Sequence, residues 1–215
     1  AARLTGPRAG RWLAAMSKLR GDYKSVWNSL SGSKHDAYLY VAGHTDEDKF
    51  HADAEDTVDI LRETVGVEPD DVFLEIGCGV GNFTRYMLDR ELVIGIDVEP
   101  ACADKWMRGF PQQRNLMGTA MDVTDSAFLD LAGHRPDTVV CLNVLEHVED
   151  HETALRHMYQ VLPRGGRALL IVPAYESLYG PIDLNLGHYR RYSKKPFAQL
   201  ARSIGFRPTL HYMNM

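Results

Sequence analysis

Apolar residues gather along the chain in short, nearly unbroken runs: VFLEI at 72–76, LVIGI at 92–96, TVVCL at 138–142 and RALLIV at 167–172. A strand wetted on one face alternates apolar and polar positions, so runs of this kind point to parallel strands covered on both faces. A third strand, in chain order, is expected near 115–121, and a sixth at 207–212. Between the runs the period lengthens to that of a helix. Phe83, Tyr86 and Met87 predict a helix after the first strand, and Glu99-Pro100 opens a second, with proline where its missing N–H costs little. A third helix covers about 152–162 and stops at Pro163-Arg164-Gly165-Gly166; Ser193 caps a fourth that carries Phe197, Leu200, Ala201 and Ile204 and ends at Gly205. Upstream, Thr45-Asp46-Glu47-Asp48 forms a capping box, and Ala54, Val58, Leu61 and Val65 make one apolar helical face closed by Gly66. Trp12, Leu13, Met16 and Leu19 fit a short amphipathic helix docking on the main body. The alternation predicts an α/β fold: a doubly wound, mainly parallel sheet flanked by helices, with right-handed crossovers. Residues 1–44 form an N-terminal helical extension or lid, and 45–215 a single domain.

Ligands of such sheets bind beyond the carboxyl ends of the strands, where the strand order reverses. Gly77, Asp97, Asp122 and Asn143 all fall just past predicted strand ends. Gly77, Gly79 and Gly81 can adopt backbone angles closed to other residues and admit a ligand close to the main chain. The same pattern also serves as a plain strand-to-helix turn. A diphosphate-binding loop runs G-x-G-x-x-G; here the third glycine comes early, at Gly81, and Asn82 holds the expected position. Glu75, two residues before the loop, suits a cationic ligand better than a diphosphate. A carboxylate at Asp97 can accept hydrogen bonds from both hydroxyls of a ribose. Asp122, between Met121 and Val123, can meet an adenine amino group, or simply cap its own loop. Asn143 follows the fourth strand in LNVLEH.

Together these segments resemble class I S-adenosylmethionine-dependent methyltransferases, on VFLEIGCGVGNFT at 72–84, VIGIDVEP at 93–100, CLNVLEHVED at 141–150 and LPRGGRALLIVP at 162–173. The resemblance spans roughly 55–212 and implies a Rossmann-like fold. It implies that Glu75, Gly77, Cys78, Gly79, Asp97, Val98, Asp122, Val123 and Asn143 contact S-adenosylmethionine, with S-adenosylhomocysteine as product. Glu75 would act on the methionine part through water or backbone. Members of the family usually finish with a seventh, antiparallel strand; this sequence stops near its sixth, so a missing C-terminal piece is expected.

Composition adjusts the picture little. A net charge of −5 gives no general attraction to nucleic acid, and none is expected as a partner. Three cysteines without a CxxC spacing fit a reducing, cytoplasmic setting, and no apolar run reaches the roughly 18 residues of a membrane helix. No HExxH occurs; His147 and His151 form one HxxxH, with His157 beyond, but surface or capping histidines explain these and no metal is expected.

The segment PAYESLYGPIDLNLGHYRRY at 173–192 joins the fifth strand to the last helix and is rich in aromatic and basic groups. A loop of this length in a compact domain is usually functional. From Asp183 to Ser193 it resembles the D-x-x-x-G-H-x-R-R-Y-[ST] segment of many bacterial small-molecule methyltransferases. His188 is the candidate general base, since an imidazole titrates near neutral pH. Arg190 or Arg191 could grip an anionic acceptor, and Tyr175, Tyr179 and Tyr192 could line its site. The expected activity is methyl transfer to a small-molecule acceptor, favoured as a hydroxyl oxygen. A methyltransferase acting on RNA or protein, a catalytically silent cofactor-binding protein and an NAD-dependent oxidoreductase are the alternatives. The N-P-P-Y motif of base-amine methyltransferases is absent, and no Tyr-x-x-x-Lys dyad is evident. Residues 1–44, with Tyr23, Tyr38 and Tyr40, are expected to fold over the cleft. The sequence fixes neither the acceptor nor the oligomeric state.

Overall fold

The computed structural model describes Gly66 and residues 68–212; the helix expected after Thr45 and the extension over 1–44 lie outside the described residues. Five strands, β1 (Val72–Ile76), β2 (Leu92–Asp97), β3 (Leu116–Ala120), β4 (Thr138–Leu142) and β5 (Arg167–Ile171), form one sheet in the order β3-β2-β1-β4-β5. All pairs are parallel, with Ile76 opposite Ile96 on one side and Cys141 on the other. The order reverses between β1 and β4, which places the ligand crevice beyond their carboxyl ends.

Both faces are covered, which is why the apolar runs are continuous. Leu74, Ile76, Ile94, Ile96, Val139 and Cys141 face one layer, which includes Leu155 and Met158 of α2 (His151–Val161) and Phe197 of α4 (Lys194–Ile204). Phe73, Val93 and Val140 face the other, with Met87 and with Trp106 of α1 (Pro100–Gly109). Trp106 is fully buried against the sheet because two strand glycines leave room: a Cβ on Gly95 or Gly118 would stand 2.8 or 2.9 Å from the indole. Asp150 caps α2 by accepting from the Thr153 N–H at 3.0 Å.

The structure departs from the sequence expectations in four places. After the glycine loop stands only a single 3₁₀ turn, Thr84–Tyr86. Phe83 and Met87 are buried on either side of it, so packing satisfies the apolar spacing without a full helix. The segment 173–192 contains a short helix, α3 (Pro181–Leu186). Ser193 sits at the N-cap of α4, but its side chain makes no capping hydrogen bond. No strand forms over 207–212. Pro208 has no N–H for a ladder, and Tyr212 instead stacks on Tyr175 with ring centroids 4.7 Å apart. Among the described residues, no helix is long and apolar enough to cross a membrane.

Candidate active site

The loop from β1 takes the left-handed backbone at Gly77, Gly79 and Gly81 (φ +74°, +53° and +89°). The Gly77 and Cys78 N–H groups donate to the Ile96 carbonyl at 2.8 and 3.0 Å, pinning the loop across the end of β2. A Cβ at Gly77 would collide with Val144, and one at Gly81 would stand 2.5 Å from Phe110. A Cβ at Gly79 would meet nothing within 4 Å. Two of the glycines are thus closed by packing, and Gly79 faces the space a ligand can enter. Asp97 at the end of β2 accepts from the Gly79 N–H at 3.0 Å through one oxygen and from the Glu99 N–H at 2.9 Å through the other. These two bonds fix the carboxylate at the end of β2, the position from which an acid can accept from ribose hydroxyls. Val98 beside it is exposed, while Cys78 is buried beneath the loop, where burial pushes its thiol pKa up. The loop leads into one 3₁₀ turn rather than a helix, so it offers no helix N-terminus to a pyrophosphate. A ribose-bearing ligand without a diphosphate at this point fits S-adenosylmethionine.

Glu75 lies differently from its expected place. It is buried on the α1 side of β1, where it accepts from the Thr84 hydroxyl, which in turn accepts from Trp106 Nε1 at 2.6 Å. Burial pushes its pKa up to about 8, with the Thr84 hydrogen bond acting against the shift. In the domain as described, Glu75 is therefore mostly uncharged at neutral pH and anchors the loop from below instead of presenting an anion.

The remaining cofactor candidates also find places. Asp122 Oδ1 accepts from both the N–H and the hydroxyl of Thr124, each at 2.8 Å, which is the loop-capping role. Val123 is buried, and its carbonyl accepts from His157 Nδ1 at 2.8 Å. Asn143 adopts φ +52°, and its N–H donates to the Ile171 carbonyl at 2.9 Å. This strained backbone turns the chain sharply at the end of β4.

On the acceptor side, Asp183 is only 1% exposed, and its position decides the rest. His188 Nδ1 donates to Asp183 Oδ1 at 2.9 Å, Arg191 Nε donates to the same oxygen at 2.7 Å, and the Gly180 N–H donates to Oδ2 at 3.0 Å. Burial acts to raise the Asp183 pKa, but these donors outweigh it and hold the carboxyl below its usual range. Burial lowers the His188 pKa against the pull of Asp183. The imidazole is thus neutral at pH 7, with Nδ1 engaged and the Nε2 lone pair available. His147 packs edge-on to it, ring centroids 4.6 Å apart, and burial, followed by the His188 charge, lowers its pKa to about 4. Glu146, 1% exposed, has its pKa raised to about 8 by burial.

Several residues expected to touch the acceptor have partners within the protein in this structure. Arg191 is committed to Asp183. Arg190 donates to the Val148 and Glu149 carbonyls at 2.5 and 2.7 Å. Tyr192 is buried, donates to the Leu145 carbonyl and accepts from His151 Nδ1, both at 3.1 Å. Tyr179 donates to the His188 carbonyl at 2.7 Å. Tyr175 remains half exposed, stacked on Tyr212. Sequence reasoning gave no role to Glu146 or to Asp183, which it named only as the head of the D-x-x-x-G-H segment; the available signal for Asp183 was its fixed spacing from His188 and Arg191.

A sequence model described as a methyltransferase domain matches residues 42–211. An uncharacterised 37.1 kDa protein of transposon TN4556 from Streptomyces fradiae is 25% identical over 163 residues, covering 68% of this chain and 46% of that protein. The chain therefore spans less than half the length of that relative. Among solved structures, the N-methyltransferase NodS of Bradyrhizobium japonicum, in complex with S-adenosylhomocysteine, aligns with a TM-score of 0.59 at 20% identity over 84% of both chains. A phosphoethanolamine N-methyltransferase of Haemonchus contortus, bound to phosphomonomethylethanolamine and S-adenosylhomocysteine, gives 0.64 at 14% identity over 86% of this chain and 44% of its own. At such identities these likenesses speak for the fold. The domain match, the reversed strand order and the Gly79–Asp97 crevice agree, and the chain belongs to the methyltransferase-domain family, the class I S-adenosylmethionine-dependent methyltransferases.

Proposed function

We propose that this protein transfers the methyl group of S-adenosylmethionine to a hydroxyl oxygen of a small-molecule acceptor, with His188 taking the hydroxyl proton. The Asp183–His188 pair at 2.9 Å carries this proposal. It holds one tautomer and sits past the end of β4, while burial, acting against the pull of Asp183, keeps Nε2 unprotonated at neutral pH. The methyl is already activated by the sulfonium, so the protein has only to align the acceptor, exclude water and remove a proton. Gly77, Gly79 and Asp97 would hold the cofactor, with Asn143 at its methionine end and Asp122 and Val123 towards the adenine. Leu178, Ile182, Leu184 and Tyr189 are exposed along the segment before α4 and favour an acceptor with an apolar portion. The net charge of −5 supports a small molecule over RNA, and the free cysteines Cys78, Cys102 and Cys141 support a reducing, cytoplasmic setting.

A nitrogen acceptor is the second reading, favoured by the two similar N-methyltransferase structures. Methyl-labelled S-adenosylmethionine offered with matched panels of alcohols, phenols and amines separates the two. Labelled ether products, with kcat reduced in His188→Ala and its pH profile shifted in Asp183→Asn, are the expected result. Methylation of amines alone would overturn the oxygen assignment. Binding of S-adenosylhomocysteine without turnover on any panel would favour a silent cofactor-binding role.

A further inference from the structure

Beyond β4, three side chains converge in a way that proton removal by His188 alone does not require. Glu146, His147 and His188 each bring a ligand atom to within 4.8 Å of the others. Glu146 Oε2 is buried with no hydrogen-bond partner among the described residues. A buried carboxyl oxygen without a hydrogen-bond partner is costly unless a ligand meets it. His188 is already aimed, since Asp183 takes its Nδ1 at 2.9 Å and is itself fixed by Arg191 and the Gly180 N–H. A carboxylate behind an imidazole is the arrangement that sets the tautomer and direction of a metal-binding histidine and leaves Nε2 as ligand.

We propose that Glu146, His147 and His188 form a site for a divalent transition-metal cation, of which Zn²⁺ is representative, with Asp183 as its positioning residue. Two imidazoles and one carboxylate make a known ligand set for such ions and leave coordination positions open. In a tetrahedral site with bonds of about 2.0–2.1 Å the ligand atoms stand roughly 3.4 Å apart, so loading draws the three side chains together. The sequence expectation of no metal weighed His147 with His151. His151 instead serves Tyr192, and the partner of His147 is the distant His188.

The role of the ion rests on the hydroxyl-acceptor proposal; its binding does not. An acceptor hydroxyl on the cation becomes acidic enough to lose its proton to water near neutral pH. The oxygen lone pair then forms the new C–O bond as the S–CH₃ bond breaks and its electron pair returns to sulfur. In the loaded protein His188 is a ligand and no longer the base.

The test uses the full chain, stripped with a chelator, dialysed, and titrated calorimetrically with ZnCl₂ and spectroscopically with CoCl₂. One ion per chain at micromolar or tighter affinity is expected. Glu146→Gln and His188→Asn should each weaken binding by about 10–100-fold and alter the cobalt visible spectrum, with far-UV circular dichroism unchanged. If Glu146→Gln does not fold, His188→Asn carries the comparison. Absence of saturable binding, or affinity and spectrum unchanged in the folded variants, overturns the proposal. No acceptor is needed, so ion binding can fail while methyl transfer stands, and the reverse.

Discussion

Gly79→Ala separates a glycine kept for a ligand from glycines kept for packing. At φ +53° an alanine must enter the left-handed region, which costs roughly 1–2 kcal/mol. Its methyl meets nothing within 4 Å, so no collision adds to that. For a domain of this size 1 kcal/mol moves Tm by about 2–4 °C, and a fall of about 2–8 °C is expected. The same methyl enters the space beside the Asp97 carboxylate, whose oxygen accepts from this very residue's N–H. Affinity for S-adenosylhomocysteine should therefore fall at least about 10-fold, or about 1.4 kcal/mol. Gly77→Ala is the control. Its φ of +74° carries similar strain, and its methyl collides with Val144, adding about 1–3 kcal/mol of overpacking. It should lose roughly twice as much Tm. Differential scanning calorimetry and isothermal titration on the two variants make the comparison. A Gly79→Ala protein that is mildly destabilised yet binds S-adenosylhomocysteine like wild type would refute the placement of the cofactor over Gly79.

Asp97→Ala removes the acceptor expected for both ribose hydroxyls and should weaken S-adenosylhomocysteine by at least about 100-fold in calorimetry, at about 1.5–3 kcal/mol for each of two charged hydrogen bonds; a change below threefold would rule out the ribose role. Glu75 and Glu146 have folded pKa values raised to about 8, so the folded domain holds protons that the unfolded chain has released, and stability should fall as pH rises from about 5 to 8. His147, lowered to about 4, opposes this only below its unfolded value near 6.5, so the decline should be clearest between pH 6.5 and 8. Glu75→Gln should flatten it by up to about 1.4 kcal/mol per pH unit, measured by urea unfolding; an unchanged slope would mean Glu75 is ionised in the fold. Arg191→Ala leaves Asp183 buried without its strongest donor and should cost about 3 kcal/mol, a Tm loss of roughly 6–12 °C, whereas a stable variant with only a raised acceptor KM would restore Arg191 to the acceptor site. Tyr192→Phe should cost about 1–2 kcal/mol by leaving the buried Leu145 carbonyl without its donor, with acceptor KM unchanged once an acceptor is in hand.

The strands were legible almost to the residue because burial on both faces writes itself into sequence as an unbroken apolar run. The glycine loop and Asp97 were legible because positive φ and a strand-end carboxylate restrict residue identity. Other features were hidden by burial of groups that look like surface. Asp183 stands between Ile182 and Leu184, and both of those apolar neighbours are exposed while the carboxylate is buried. Nothing in local periodicity reveals such an inversion; only contacts from Arg191 and His188, later in the chain, produce it. The sixth strand failed for the opposite reason, since the apolar positions at 206 and 210 do pack on the core but Pro208 breaks the ladder a strand would need. Gly95 and Gly118 were invisible as a pair, because their meaning lies in the Trp106 indole that crosses both strands.

The buried charged groups are not satisfied alike, and the differences track position. Asp183 receives three donors, one of them cationic, and behaves as a structural hub. Glu75 has the Thr84 hydroxyl and a pKa near 8, enough to fix the cofactor loop from beneath. Glu146 has an oxygen that no described residue satisfies, at the point where the strand order reverses. A fold selected for stability alone would replace such a group with a leucine, because a buried polar atom left without a hydrogen bond lowers stability. Sequences break the agreement between local preference and burial chiefly where chemistry requires it. The residue order around it points the same way. Val144 covers the cofactor loop at Gly77, Leu145 receives the Tyr192 hydroxyl and the Glu146 carbonyl accepts the Tyr189 N–H at 2.8 Å. The Glu146 backbone is therefore held by contacts on its neighbours and its own carbonyl, while its side chain lies beside His147 and His188. The oxygen that no described residue meets is the one the proposed cation would complete.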